Sequence, residues 1–261
     1  MAVGNPAATA SRSMRTAWVN PLRNWFHAGL GFLYPELCQI CRQSRATVAE
    51  GLVCENCRRQ VKPVRAPFCH RCGLPFDGAL TTEFDCANCR GLEWHLSSAR
   101  AAAVSEGLVR EVIHRYKYQR ALWFEPFLAG LLLAAAVPVL RANPPSVIVP
   151  VPLHPVKERE REFNQAARLA APLAAALHRP LNPKLLRRVA FTVTQTHLTR
   201  SQRAANMRGV FAVPPGARVA GQSVVLVDDV FTTGATTNAC ARVLRAAGAT
   251  EVCVWTAARG I

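Results

Sequence analysis

Eight of the ten cysteines stand in four C-x-x-C pairs: Cys38 with Cys41, Cys54 with Cys57, Cys69 with Cys72, and Cys86 with Cys89. The gaps between pairs are 12, 11 and 13 residues. This pattern limits the fold of the N-terminal third more than any propensity does. A C-x-x-C knuckle turns tightly enough to aim two thiolates at one metal, and two knuckles complete the tetrahedral S4 site that zinc favours. Two zinc sites are therefore expected between residues 38 and 89. Pairing consecutive knuckles would make two zinc ribbons, and interleaving them would make a cross-brace. The near-equal loops of 12 and 13 residues favour the consecutive arrangement. Four cysteines already complete each metal, so His70 is read as a bystander. Both sites are closed, which points to a structural role, with zinc supplying folding free energy to a segment too short to bury much core.

The competing reading of these cysteines is a disulfide framework, which needs an exported chain. The first 35 residues carry three arginines and no acidic residue, but Pro21, Asn24 and His27 interrupt any apolar export segment. A cytoplasmic chain with a short N-terminal tail is expected. The longest apolar run, Phe127 to Leu140, contains Pro138 and is too short to span a bilayer. It reads as a core helix, and no membrane span is expected. Cys240 and Cys253 read as small buried hydrophobes. The formal charge of +16 and pI near 10.3 suggest an anionic partner, either phosphate esters or nucleic acid. Most of the basic excess follows residue 100.

Beyond the knuckles, apolar strand candidates alternate with helical ones. Ala101 to Val104 is a strand, "GLVREVIHRYKY" (107–118) a helix, and Trp123 to Leu140 a second helix. "SVIVPVPL" (146–153) is a strand broken by prolines, and Asn164 to Leu177 a helix despite Pro172. Ser223 to Val227, Thr236 to Ala247 and Glu251 to Ala257 read as strand, helix, strand. Such alternation implies an α/β fold whose parallel sheet is covered on both faces by flanking helices. The expected layout is a tail (1–30), a small Cys-rich zinc ribbon domain (31–97) and the α/β domain (98–261).

In parallel sheets ligands sit at the carboxyl ends of the strands. The segment "VVLVDDVFTTGATT" fits that position. Val224 to Val227 lack polar alternation, as in a central parallel strand. Asp228 and Asp229 follow, and two adjacent carboxylates need a partner such as a sugar diol, a metal or a cation. Thr232, Thr233, Gly234, Ala235 and Thr236 then lead into a helix whose first amides and dipole favour a phosphate. Acids that grip a diol beside a phosphate loop describe a binder of a ribose 5-phosphate.

"VVLVDDVFTTGAT" resembles the PRPP-binding motif of type I phosphoribosyltransferases. With "PVPLHPVKERER", "FNQ", "LLRRV" and "QTHLTRSQRAANMRGVF" behind four cysteine pairs, the chain resembles the ComF/GntX-like competence family over about residues 31–258. The resemblance implies a type I phosphoribosyltransferase-like domain, with Asp228 and Asp229 on the ribose hydroxyls and residues 232–236 around the 5′-phosphate. Leu153 and His154 would face the pyrophosphate, Arg161 would stand nearby, and Arg200 and Arg203 would ride on a loop that closes over the site. Mg²⁺ would arrive with PRPP. Lys117 and Arg159 are further available cations. Two departures stand out. Glu162 occupies the place where the family usually has Gly, and Thr232 the place where purine-salvage relatives carry an Asp, which weakens the case for a purine acceptor. The implied activity is transfer of phosphoribosyl to an unknown acceptor with release of pyrophosphate, in the use of exogenous DNA. The alternative is a non-catalytic PRPP-fold module whose ribbons dock single-stranded DNA or a DNA-uptake helicase.

Overall fold

Four strands form one parallel sheet: β1 (Ser98–Val104), β2 (Val147–Pro150), β5 (Ser223–Phe231) and β6 (Glu251–Arg259), in the order β1-β6-β5-β2. The computed structural model describes residues 36–76, 78, 86–90, 93–190, 207 and 209–261. The expected tail (1–30) and the loop arginines Arg200 and Arg203 lie outside the described residues. From Leu37 to Ile261 the chain forms one compact unit.

Side chains alternate across a strand, and the alternation divides the core in two. On one face, Ile148, Val225, Val227, Trp255 and Ala257 pack with three helices. These are α2 (Gly107–Tyr118), α3 (Glu125–Ala142, entered through a 3₁₀ turn at Leu122–Phe124) and α5 (Gln165–Leu177); α1 is the single turn Glu55–Arg58 of the knuckle segment. On the other face, Val147, Val149, Val224, Leu226, Val252 and Val254 pack with Cys240 and Leu244 of α6 (Ala235–Ala246) and with Leu185, Leu186, Val210 and Phe211. The last four residues flank or form a two-stranded antiparallel ribbon, β3 (Arg187–Arg188) with β4 (Phe211–Ala212).

The helices follow their sequence signals. On α2 the buried residues Leu108, Val109, Val112, Ile113 and Tyr116 make one stripe. Asn164 caps α5 by accepting hydrogen bonds from the Ala166 and Ala167 amides. With its 3₁₀ turn, α3 is a 21-residue apolar helix, long enough by composition to cross a bilayer. Here it buries Phe127, Leu128, Leu132, Ala136 and Leu140 in the core, in keeping with the sequence reading.

The knuckle segment is built into this body. Lys62 to Val64 cover the outer edge of β1: the Val64 amide donates to the Ala102 carbonyl and the Val104 amide to the Lys62 carbonyl. An edge strand left open invites pairing with another chain, and this segment closes it. Cys38, Cys54 and Cys57 belong to the core on the α2–α3 face, whereas Cys69, Cys72, Cys86 and Cys89 belong to the α6 face.

Strand order locates the site. From β2 the chain leaves through α4 (Pro155–Arg161) and α5 to Leu181, which bridges Ile148 on the outer side of β2. It then returns to β5 on the inner side. The order reverses at β2, so a crevice opens between the carboxyl ends of β2 and β5.

Glu162, at the end of α4, adopts φ 66° and ψ −1°. The left-handed conformation explains why glycine is usual there and shows that the turn tolerates a side chain. Glu162 also pairs with Arg120 at 2.9 Å, but both partners are more than half exposed, so the pair contributes little. Glu162→Gly should relieve about 1 kcal/mol of backbone strain, less the entropy glycine adds to the unfolded chain. A net gain of about 0.5 kcal/mol is expected in denaturant unfolding. A loss would mean that the Arg120 pair outweighs the strain.

Candidate functional site

The eight knuckle cysteines gather in two groups, Cys38, Cys41, Cys54 and Cys57, and Cys69, Cys72, Cys86 and Cys89. Consecutive knuckles pair, as the loop lengths suggested. Within each group the ligand atoms lie within 4.8 Å of one another. Neighbouring Sγ atoms stand 3.5 to 3.8 Å apart. A tetrahedron with Zn–S bonds of about 2.3 Å has edges of about 3.8 Å. The donor sets and spacings therefore fit two structural zinc ions. Each group is also held by arginines of the α/β body. Arg115 donates to the Gln39 carbonyl at 2.7 Å, Arg100 to His70 at 2.8 Å, and Arg259 to Cys72 at 3.1 Å.

The two aspartates lie inside β5, which runs on to Phe231, and not beyond its end. β6 is equally long and pairs Thr256 with Asp228 and Ala258 with Val230. Being adjacent on a strand, the two carboxylates address opposite faces. Asp229 shares the parity of Val225 and Val227. It is 2% exposed and forms an ion pair with Lys117 of α2. Asp228 is only half-buried, and its Oδ1 accepts from the Asp229 amide at 2.9 Å. Burial lifts the Asp228 carboxyl to about 6, against the opposing pull of Lys117, Arg161 and Arg188. Burial likewise lowers Lys117 to about 8; the charge of Asp228 counters this and that of Arg161 adds to it. Two carboxylates and three cations, from β5, α2, α4 and β3, thus meet at this end of the sheet, with Asp229 buried on Lys117 and Asp228 the more open of the pair.

The loop after β5 ends in Gly234 at φ 79°, which caps α6. A Cβ at Gly234 would stand 2.6 Å from Cζ of Phe231 and 3.2 Å from the Trp94 ring. Glycine is needed here for the turn and for this close approach. The Thr233 hydroxyl accepts from the Ala235 amide at 3.4 Å, and Thr236 Oγ1 lies 4.0 Å from the Met207 sulfur. Thr232 is exposed and Ala235 half-buried. On the β2 side, Val151 donates to the Val227 carbonyl and accepts from the Asn164 side chain, which holds the following loop beside β5. Leu153 and His154 are half-buried in that loop, and His154 caps α4 by accepting from the Val156 amide at 3.3 Å.

Comparisons with known proteins follow this division. Residues 29–90 match the double zinc ribbon domain, and residues 166–260 match the phosphoribosyl transferase domain. Competence protein F of Haemophilus influenzae is 31% identical over 228 residues, covering 85% of this chain and 96% of its own length. The DNA utilization protein YhgH of Salmonella typhimurium is 34% identical over 226 residues, with the same coverage of each. The chain belongs to this competence protein F and YhgH family. A more distant relative, competence protein ComFC of Bacillus subtilis, is 26% identical over 203 residues, covering 74% of this chain and 77% of its own.

Within the family frame, the structure brings Asp228, Asp229, Arg161 and the 232–236 loop to the carboxyl ends of β5 and β2, with Leu153 and His154 across the crevice. Arg161 donates to Gln165 at 3.0 Å and lies over the Tyr118 ring. Arg159 is exposed on α4. Helical spacing puts Lys117 with Arg110 and His114 on a face apart from the apolar stripe, as an available cation, and gives no role to Arg188; the structure instead buries Lys117 against Asp229. Lys117 sits one turn from the stripe residue Ile113 and one place after Tyr116, at the border of the two faces, and packing against β5 turns it inward. Arg188 lies inside "LLRRV" but carries no local signal of its own.

Proposed function

We propose that the chain binds PRPP in the crevice between β2 and β5 and transfers phosphoribosyl to an acceptor, releasing pyrophosphate, in the use of exogenous DNA. The observation that carries the reading is Asp228. This half-buried carboxylate stands at the strand-order reversal, faced by cations and adjoining a glycine-started helix. Asp228, with Asp229 behind it on Lys117, would accept hydrogen bonds from the ribose hydroxyls. Residues 232–236 would surround the 5′-phosphate. Leu153, His154, Arg161, Arg200 and Arg203 would serve the pyrophosphate, with Mg²⁺ bound mainly through phosphate oxygens. Loss of pyrophosphate develops positive charge at the sugar carbon, and the chain's contribution is positioning and charge stabilisation. The link to DNA use rests on the names of the relatives.

Calorimetric titration with Mg-PRPP tests the reading. Asp228→Asn should weaken binding by roughly 1.5–3 kcal/mol, the range for hydrogen bonds to charged groups. With a carboxyl near 6, wild-type affinity should be level above about pH 7 and fall as the pH drops below 6. The ligand's own phosphate titrates in the same range, so the readout is the difference between wild type and Asp228→Asn, whose profile should be flatter. No binding of PRPP by the zinc-loaded wild type would refute the proposal. Pyrophosphate release with candidate acceptors then separates a transferase from a module that only binds.

A further inference from the structure

Arg259, at the end of β6, is 2% exposed. Buried guanidinium groups need acceptors and countercharge. Among the described residues no carboxylate pairs with it. Its Nε donates to the Cys72 carbonyl at 3.1 Å, and its Nη2 lies 3.8 Å from the Cys72 sulfur. Its Nη1 donates to the carbonyls of Phe231 at 3.1 Å, Thr232 at 2.8 Å and Gly260. The guanidinium also covers the Phe231 ring. One side chain therefore ties a zinc-ligand cysteine to the backbone that starts the 232–236 loop.

A second tie reaches the same loop from the same cysteine group. Trp94 donates to the Cys89 carbonyl at 3.3 Å, and its ring meets the space above Gly234. Asn238 of α6 brackets Trp94, donating to the Glu93 carbonyl and accepting from the His95 amide, both at 2.8 Å. A zinc ion on four thiolates carries a formal charge of about −2, which supplies the negative charge that Arg259 otherwise lacks.

We propose that the second cysteine group is a positioning element for the candidate phosphate loop, and that Arg259 is the residue that couples them. With zinc bound, the cluster holds the Arg259 fork, and the fork fixes the Phe231 and Thr232 carbonyls. The first cysteine group packs on the opposite face and, among the described residues, has no such tie. The part of this inference that concerns phosphate rests on the PRPP reading; the coupling itself does not.

Hydrogen exchange on the zinc-loaded chain tests the coupling without a ligand. Arg259→Met should speed exchange of amides in residues 232–237 by about tenfold or more, as expected for losing charge-assisted hydrogen bonds. It should also weaken zinc retention at the second group under chelator competition. Arg259→Lys keeps the charge but not the fork, so it should retain zinc while exchange in the loop remains faster. Should Arg259→Met fail to fold, the Lys variant decides. Ribose 5-phosphate affinity should fall with loop exchange in both variants, while pyrophosphate affinity should not. Unchanged loop exchange in a folded variant overturns the coupling. Faster exchange with no binding of ribose 5-phosphate by the wild type would leave the coupling standing and remove the PRPP reading. Faster exchange with undiminished ribose 5-phosphate affinity would overturn the positioning role.

Discussion

Stripping both zinc ions from the chain is expected to unfold the α/β body together with the ribbons, in one transition. The segment between Leu37 and Val64 is part of the larger core. A Cβ on Gly51 would stand 2.6 Å from the Phe127 amide nitrogen, so the first ribbon lies directly on α3. Arg58 covers the Phe127 ring, and Arg115 of α2 holds the Gln39 carbonyl. The second ribbon holds β1 through the Ala99 amide, which donates to the Arg71 carbonyl at 2.7 Å. Zinc contributes on the order of 10 kcal/mol to small S4 sites, as much as the whole stability of an ordinary domain. Losing it would free the edge of β1 and uncover apolar residues on both faces. Chelation followed by near-ultraviolet circular dichroism and thermal unfolding, with elemental analysis for zinc, measures this. A body that melts at its original temperature after both ions have gone would show that the ribbons are ornaments on an independent fold.

Much of this architecture was legible because its signals are local. Four C-x-x-C pairs at near-equal spacing announce two metal sites, and the loop lengths pointed to the pairing. Periodicity found α2, since Leu108, Val112, Ile113 and Tyr116 define one stripe, to which the structure adds Val109. The apolar run before Asp228 marked a central strand. What stayed hidden depends on pairing between distant segments. β5 continues through Asp228 to Phe231 because β6 is there to receive it, and no residue of β5 says how long β6 will be. The opposite fates of the two aspartates follow from that extension, since a carboxylate inside a strand belongs to one face. Lys117 turning inward and Arg259 reaching Cys72 are likewise products of tertiary packing. Arg259 lies past Ala257, where the sequence pattern ended the last strand, and only pairing of β6 with Val104 and Phe231 carries the strand on to it.

Those opposite fates give the second large effect. Asp229→Ala should cost about 3–5 kcal/mol, the range for breaking a buried ion pair from one side. The Asp229 side chain is 3% exposed and that of Lys117 18%, so water cannot replace the lost carboxylate. Lys117 already sits near 8 because burial outweighs the attraction of its neighbours. A lysine whose folded pKa is lowered costs stability below that pKa, and the cost vanishes as pH rises past the unfolded value. Without Asp229 the folded Lys117 pKa falls further below 8, so the Asp229→Ala protein should begin to recover stability below pH 8, where wild type does not, and the two should rise in parallel between about pH 8 and 10. Adding Lys117→Met should restore most of the loss, because an apolar side chain needs no countercharge. Asp228→Asn should behave in the contrary way. Its carboxyl is raised to about 6, so its charge is a burden above that pH and none below the unfolded value near 3.8. Removing that charge should leave stability level or slightly improved at neutral pH. Denaturant unfolding of both single variants and the Lys117 double variant, across pH, decides the matter. Equal losses at Asp228 and Asp229 would mean that the two carboxylates share one environment, and that the division of labour between a buried support and an open ligand group is wrong.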